Sequence, residues 1–228
     1  MLAIMDITPD SWKSTLRSAI AILRDLGSKG FGRPDFTLGG GTVLMFRFGH
    51  RMSHDIDLFI TDVQWLTLIS PRLNDFSASM VSDYIEQANA LKLVTPHGDI
   101  DVIAAAPTVP RTATGSTAAD SLDFEGETIV LDSTAEILGK KLLYRAASFQ
   151  PRDAFDTAAA IEIDPASATV AVQTAASKAP ILDRRLRELD QLPAGELERG
   201  ILLLERGRQL LPGMIRRVRD FIANEAGG

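Results

Sequence analysis

Residues 38–60 read LGGGTVLMFRFGHRMSHDIDLFI, and the change of character along this stretch decides the fold. The apolar run Phe36 to Leu38 predicts a brief strand that delivers Gly39, Gly40 and Gly41 into a helix over about residues 41–48. That helix carries Val43, Leu44 and Phe46 inward and breaks near Gly49. Ile56, Leu58, Phe59 and Ile60 then predict a second strand. A strand feeding glycines into a helix leaves free backbone N–H groups and a positive dipole end, which suits a phosphate. The GxxxxGK[ST] pattern of a P-loop is missing, so the triglycine alone fits equally a tight strand-to-helix turn that binds nothing. Asp55 and Asp57 stand two apart on a strand and project from one face. Such a pair is either a solvated strand end or a seat for a hard divalent cation, Mg²⁺ above all, which takes oxygen ligands and keeps positions open for substrate phosphates.

Working outward, Leu16, Ile20, Leu23 and Leu26 draw an apolar stripe that predicts a helix over 11–29, with Asp10 or Ser11 as its cap and Gly27, Gly30, Gly32 and Pro34 as its stop. Two helical stretches are expected between Gln64 and Ala90. Leu91 to Val94 and Ile100 to Ala104 flank Pro96, His97 and Gly98 and predict a hairpin, ended by Pro107 and Pro110. Leu122 to Phe124 and Thr128 to Leu131 repeat that pattern around Gly126. Beyond Asp132 the period becomes helical. Ser133 with Glu136 reads as a capping box ahead of Ile137, Leu138, Leu142 and Leu143, and Pro151, Pro165, Pro180, Pro193 and Pro212 divide the rest into four or five helices. The expected architecture is an α/β (α+β) core over 1–131 and a helical region over 132–228.

The 228 residues are 45% apolar and 24% charged, which excludes global disorder. No cysteine is present, which excludes a disulfide framework, thiolate catalysis and cysteine-held zinc or iron–sulfur centres. No apolar run approaches bilayer length, and acids and Pro9 interrupt the N-terminus too early for a signal peptide, so a cytoplasmic protein with no membrane association is expected. The net charge of −6 would argue against a nucleic-acid partner were it uniform. It is not: residues 181–228 carry nine arginines against eight acids, and the negative excess lies wholly in residues 1–180. Phosphate recognition needs only a local basic patch. Arg184, Arg185, Arg187, Arg206, Arg208, Arg216, Arg217 and Arg219 offer one, although the interleaved acids also fit a solvated helix face.

A third acid lies in GDIDVI, residues 98–103. Asp101 precedes Val102 and Ile103 and takes a sheet position, whereas Asp99 follows Gly98 in the turn, so Asp101 is the candidate to join Asp55 and Asp57 as a metal ligand. His50 and His54 have the spacing of a helical zinc pair, but Gly49 and the approaching strand interrupt any helix there. His97 reads as a turn residue, and Trp12 and Trp65 as packing anchors.

A glycine-rich strand-to-helix turn, a DxD strand and a further acidic strand, in that order, resemble the nucleotidyltransferase superfamily. The closer resemblance is to the AbiEii/AbiGii-type nucleotidyltransferase toxins, with a GGTxL, R, HRxSxDIDLF pattern matched by Gly40, Gly41, Thr42, Leu44, Arg47, His50, Arg51, Ser53, Asp55, Ile56, Asp57, Leu58 and Phe59. A second block, ExLxxKL followed by R and RDxxD, is matched by Glu136, Leu138, Lys141, Leu142, Arg145, Arg152, Asp153 and Asp156. The resemblance implies a nucleotidyltransferase-type mixed sheet flanked by helices. It also implies transfer of a nucleoside monophosphate from an NTP to an acceptor hydroxyl, with release of pyrophosphate.

Under that resemblance Asp55, Asp57 and Asp101 hold Mg²⁺ (or Mn²⁺), and Gly40, Gly41 and Thr42 cradle phosphates. Lys141, rather than its neighbour Lys140, neutralises the triphosphate. Asp153 either deprotonates the acceptor or holds Lys141 and Arg152, and Asp156 is expected to pair with Arg152. Arg51 and Ser53 either touch phosphate or brace the loop, with phosphate the expectation for Arg51. In some members of that family the acceptor is the 3′ end of tRNA and a cognate antitoxin protein restrains the activity; the resemblance gives the class of reaction rather than the acceptor, and the tRNA 3′ end is the first expectation. Transfer to a protein or small molecule, or nucleotide binding without turnover, are the alternatives.

Overall fold

The computed structural model describes residues 11–109 and 120–226; the expected cap at Asp10 and stop at Pro110 lie outside them. The chain packs as two units. The described residues of Met1–Val43, Ser53–Ala106 and Ser121–Leu131 make the first, and those of Leu44–Met52, Pro107–Asp120 and Asp132–Gly228 the second.

The first unit is built on a five-stranded mixed sheet in the order β1 (Phe36–Gly39), β2 (Ile56–Ile60), β5 (Gly98–Ala104), β4 (Ala90–Thr95), β3 (Asp83–Gln87). β2 and β5 run parallel and the other neighbours antiparallel. Helix α1 (Ser11–Ser28) buries Leu16, Ala19, Ile20, Ile22, Leu23 and Leu26 and packs on β2 and β5. The strands answer with period two: Ile56, Leu58 and Ile60, Ile100 and Val102, and Leu91 and Leu93 are all buried. Alternation therefore assigns Asp55, Asp57, Asp99, Asp101 and Lys92 to the opposite face of the same three strands. Strands β6 (Ser121–Phe124) and β7 (Glu127–Val130) form the second hairpin. Glu127 fastens it by accepting from Arg24 at 2.5 Å and Arg33 at 2.6 Å.

The helical expectation between Gln64 and Ala90 holds only as far as Met80. Helix α3 (Gln64–Ile69) is followed by α4 (Asp75–Met80), which Asn74 caps by accepting from the amides of Phe76 and Ser77. The chain then turns into β3, where four of five residues are exposed. An edge strand with little burial has no apolar alternation to betray it.

The second unit is helical, as expected. α5 (Thr134–Tyr144) is followed by α6 (Pro151–Ile163), α7 (Pro165–Thr174), α8 (Ala179–Asp190), α9 (Ala194–Glu198), α10 (Glu205–Leu210) and α11 (Met214–Glu225). This is more than the four or five helices expected: prolines 151, 165 and 180 lie within first turns, where a missing N–H costs nothing, and the chain beyond Pro193 divides into three helices, α9, α10 and α11. Ser133 caps α5 by accepting from the Glu136 amide at 3.1 Å. The Glu136 carboxylate completes no box with it. Instead it accepts from the Thr108 amide and hydroxyl at 3.0 Å and from the Val109 amide at 2.8 Å. Helix α6 is the centre of this unit, with Ala154, Phe155, Ala158, Ala159 and Ala160 fully buried and α5, α7, α10 and α11 packed against it. Helix α2 (Gly40–Phe48) begins in the first unit and ends in the second. Among the described residues no helix is long and apolar enough to cross a membrane.

Candidate active site

The acidic face of the first unit is assembled by strand register. Gly39 on β1 is paired with Asp57 on β2, and Asp57 with Asp101 on β5. The next residue, Gly40, has φ of +67°, and a Cβ added there would overlap the Asp57 carboxylate. The missing side chain is thus what lets that carboxylate lie against the first turn of α2, where the helix dipole favours negative charge. Thr42 is fully buried, and its hydroxyl donates to the Asp55 carbonyl at 2.6 Å, tying the start of α2 to the aspartate strand. Gly41 is buried beside it. Asp55 accepts on Oδ1 from the Asp99 amide at 3.1 Å.

Lys92 crosses the neighbouring acids. Its Nζ donates to Asp99 at 3.0 Å and to Asp101 at 3.1 Å, from a position paired in register with Asp101. Burial pushes the Asp101 carboxyl above its ordinary value; Lys92 opposes that shift, while the charges of Asp55 and Asp99 add to it. Among the described residues no three His, Asp or Glu side chains gather in a group that could hold a metal ion. The donor set that does suit a hard divalent cation is the pair Asp55 and Asp57, since Mg²⁺ is commonly held by one or two carboxylates with substrate phosphates completing its shell. The Gly40 cradle beside Asp57 leaves that carboxylate its space.

The second unit buries a charge network around α6. Asp156, with no exposure, accepts two bonds from the Arg51 guanidinium, at 2.6 and 2.8 Å, and a contact of 3.1 Å from Lys141. His50 Nε2 lies 2.7 Å from the same carboxylate. Arg51 is therefore Asp156's arginine partner; Arg152, expected in that role, is exposed. Asp153, also without exposure, accepts from Lys141 at 2.6 Å and from Arg145 at 3.4 Å on one oxygen, and from the Gln150 amide at 3.1 Å on the other. Burial alone would raise the Asp153 pKa, but the charges of Lys141 and Arg145 prevail and hold it below the ordinary value. The same contest leaves Asp156 well below it, with Arg51 and then Lys141 as the opposing charges. Lys140 turns elsewhere, donating to Asp132 at 2.7 Å with Glu136 at 3.1 Å, so the two adjacent lysines serve different carboxylates, as an offset of about 100° per residue requires.

The zinc geometry fails locally, because α2 ends at Phe48 and the two histidines share no helix. Ser53 is buried. Two residues of these clusters were not assigned these partners from the sequence. Lys92 had a signal available, a lysine at an outward strand position between two buried leucines and facing a GDID strand, which only the register could match to Asp101. His50 stands next to Arg51, but nothing local in the sequence points to Asp156, more than a hundred residues away.

Residues 21–221 match the protein family described as "Nucleotidyl transferase AbiEii toxin, Type IV TA system". No curated protein sequence matches the chain. Among solved structures it is similar to an antigenic nucleotidyltransferase-like protein from Paracoccidioides brasiliensis, at 15% identity and a TM-score of 0.42 over 96% of this chain and 93% of that one. It is also similar to the STING-associated CdnE c-di-GMP synthase from Capnocytophaga granulosa, at 12% identity and a TM-score of 0.34 over 96% of this chain and 82% of that one.

Proposed function

Since the chain belongs to the AbiEii nucleotidyl transferase toxin family of type IV toxin–antitoxin systems, we propose that it is an Mg²⁺-dependent enzyme that transfers a nucleoside monophosphate from an NTP to the 3′ end of tRNA. The family implies an NTP substrate and an antitoxin partner. In the reaction the acceptor oxygen forms a bond to the α-phosphorus, the bond from that phosphorus to the bridging oxygen breaks, pyrophosphate leaves with the electron pair, and the hydroxyl proton is released.

The observation that carries this reading is the placement of Asp57 against the first turn of α2, on one strand face with Asp55 and beside a glycine that cannot be filled without displacing it. Asp55 and Asp57 would hold the divalent ion, Mg²⁺ or Mn²⁺. When bound, that ion supplies the charge that polarises the phosphoryl oxygens and offsets the charge growing on pyrophosphate. Gly40, Gly41 and Thr42 contribute backbone N–H groups to the phosphates, because the Thr42 hydroxyl is already committed to Asp55. Lys141 neutralises the triphosphate as a point charge, with Asp153 and Asp156 fixing its ammonium. Of the two roles open to Asp153, the bracing one is better supported: a carboxylate with a lowered pKa and both oxygens engaged is a weak base. Arg51 and Ser53 brace the loop into the aspartate strand, Arg51 by its two bonds to Asp156. In this reading residues 1–131 carry the metal-binding pair and the phosphate-binding turn, and residues 132–228 carry Lys141 and Asp153. The protein works in the cytoplasm.

Incubation with each α-labelled NTP, Mg²⁺ and total bacterial RNA tests the proposal. Label in the tRNA band, absent with Asp57→Ala, is the expected result. Label in protein or a small molecule overturns the acceptor, label retained by Asp57→Ala overturns the metal assignment, and no label with any NTP overturns turnover itself.

A further inference from the structure

Four carboxylates, those of Asp55, Asp57, Asp99 and Asp101, occupy one face of two paired strands, and a face so charged needs cations. The fold supplies one of its own. Lys92 Nζ sits between Asp99 and Asp101 at 3.0 and 3.1 Å, and all three side chains are about a third exposed. Its placement is fixed by the sheet rather than by chance contact, because Lys92 is directly opposite Asp101 in the β4–β5 register while the buried Leu91 and Leu93 lock the strand's alternation. Asp101 in turn stands beside Asp57. It is the residue a third metal-binding carboxylate would have to be, and its Oδ2 is already held by an ammonium.

We infer that Lys92 stands in for a second divalent cation, so that the site takes one metal ion, at Asp55 and Asp57, and Asp101 is a neutralised neighbour rather than a ligand. An ion seated on Asp101 would have to displace Lys92 from that oxygen and then share the face with it, and like charges this close repel. Nor can the lysine easily withdraw, because leaving would deprive two acids of their partner at once. Lys92 thus acts as a positioning and selecting residue: it sets the number of ions without touching substrate. This rests on the reading of Asp55 and Asp57 as the metal-binding pair.

The test counts ions. The full-length protein is titrated with Mn²⁺, alone and with non-hydrolysable analogues of the four NTPs, and bound ion is separated from free by electron paramagnetic resonance. The wild type should bind one Mn²⁺ per chain with the analogue it prefers, and Lys92→Met, which keeps the apolar stem and removes the charge, should bind two. Asp101→Asn gives a second measure independent of how well Lys92→Met folds. Asp101→Asn should still bind one Mn²⁺ without the loss of about tenfold or more in affinity expected on removing a ligand or its direct support. Two ions in the wild type, one in a folded Lys92→Met protein, or a tenfold weakening in Asp101→Asn each overturn the role of Lys92. No Mn²⁺ bound by the wild type with any analogue overturns the metal-binding pair itself, and this outcome is distinct from the other three.

Discussion

Gly40 shows how narrowly a single residue can constrain the aspartate strand. Its φ of +67° and the Asp57 carboxylate in its Cβ position both exclude a side chain. Gly40→Ala should therefore misplace Asp57 and reduce nucleotide transfer by about 100-fold, the scale of an ångström-sized displacement of a reacting group. Labelled-NTP incorporation measured beside circular dichroism will separate this from unfolding. Thr42→Val removes a buried hydroxyl and leaves the Asp55 carbonyl without its donor at 2.6 Å; the expected loss is about 1–3 kcal/mol in denaturant unfolding. Both aspartates of the DxD pair were legible in the sequence because period two puts them on one side of a strand whose other side is plainly apolar. The reason for Gly40 was not. A glycine before a helix suggests an amide open to a phosphate, whereas the space left by its missing side chain here receives the Asp57 carboxylate, which only the three-dimensional packing reveals.

Among the elements, α6 has the most to lose. It carries Asp153 and Asp156, both without exposure, and six small or aromatic residues as deeply buried. Removing one partner from such a network leaves the others charged and dry. Asp156→Ala should cost about 3–5 kcal/mol, read from chemical denaturation. Arg51→Lys should also destabilise, since one ammonium cannot reproduce the two parallel bonds of the guanidinium. Elements with one wet and one dry face announced themselves: α1 by its stripe of leucines and isoleucines, and the β4–β5 hairpin by its turn and alternation. The edge strand β3 did not, and α6 was expected as a helix after Pro151 but not as a buried one. The buried flank of α6 is largely alanine, which carries little periodic signal, and β3 lies exposed at the sheet edge.

For the molecule as a whole, the depressed pKa values of the buried Asp153 and Asp156 contribute to the response to acid. A carboxylate whose folded pKa lies below its unfolded one adds stability that is complete above the unfolded value, about 3.9 for aspartate, and is lost as pH falls through the folded value. Unfolding followed by circular dichroism should thus show stability held down to about pH 4 and lost below it. Asp156→Asn, which no longer titrates there, should start less stable at neutral pH and lose less on acidification. An equal slope in both proteins would dissociate Asp156 from acid sensitivity. The α+β architecture was legible at this scale from the switch of period after Asp132. The interleaving of the two units was not, because it depends on contacts such as that of His50 with Asp156, which no local pattern encodes.

That interleaving bears on how the protein can be made and divided. Residues 44–52 pack with the second unit although the chain on both sides of them packs with the first. The main chain of His50 accepts from the Leu204 amide, and at Gly207 a Cβ would collide with that same carbonyl. A ribosome thus completes most of the first unit, with one strip already set aside, long before the helices that enclose this strip have been synthesised. A gene fragment beginning at codon 132 would encode α6 without the histidine and arginine that face Asp156, and so would yield helices with a vacant slot at their centre. Restoring that slot calls for split-protein complementation with a fragment that includes residues 44–52, not for a new choice of terminus.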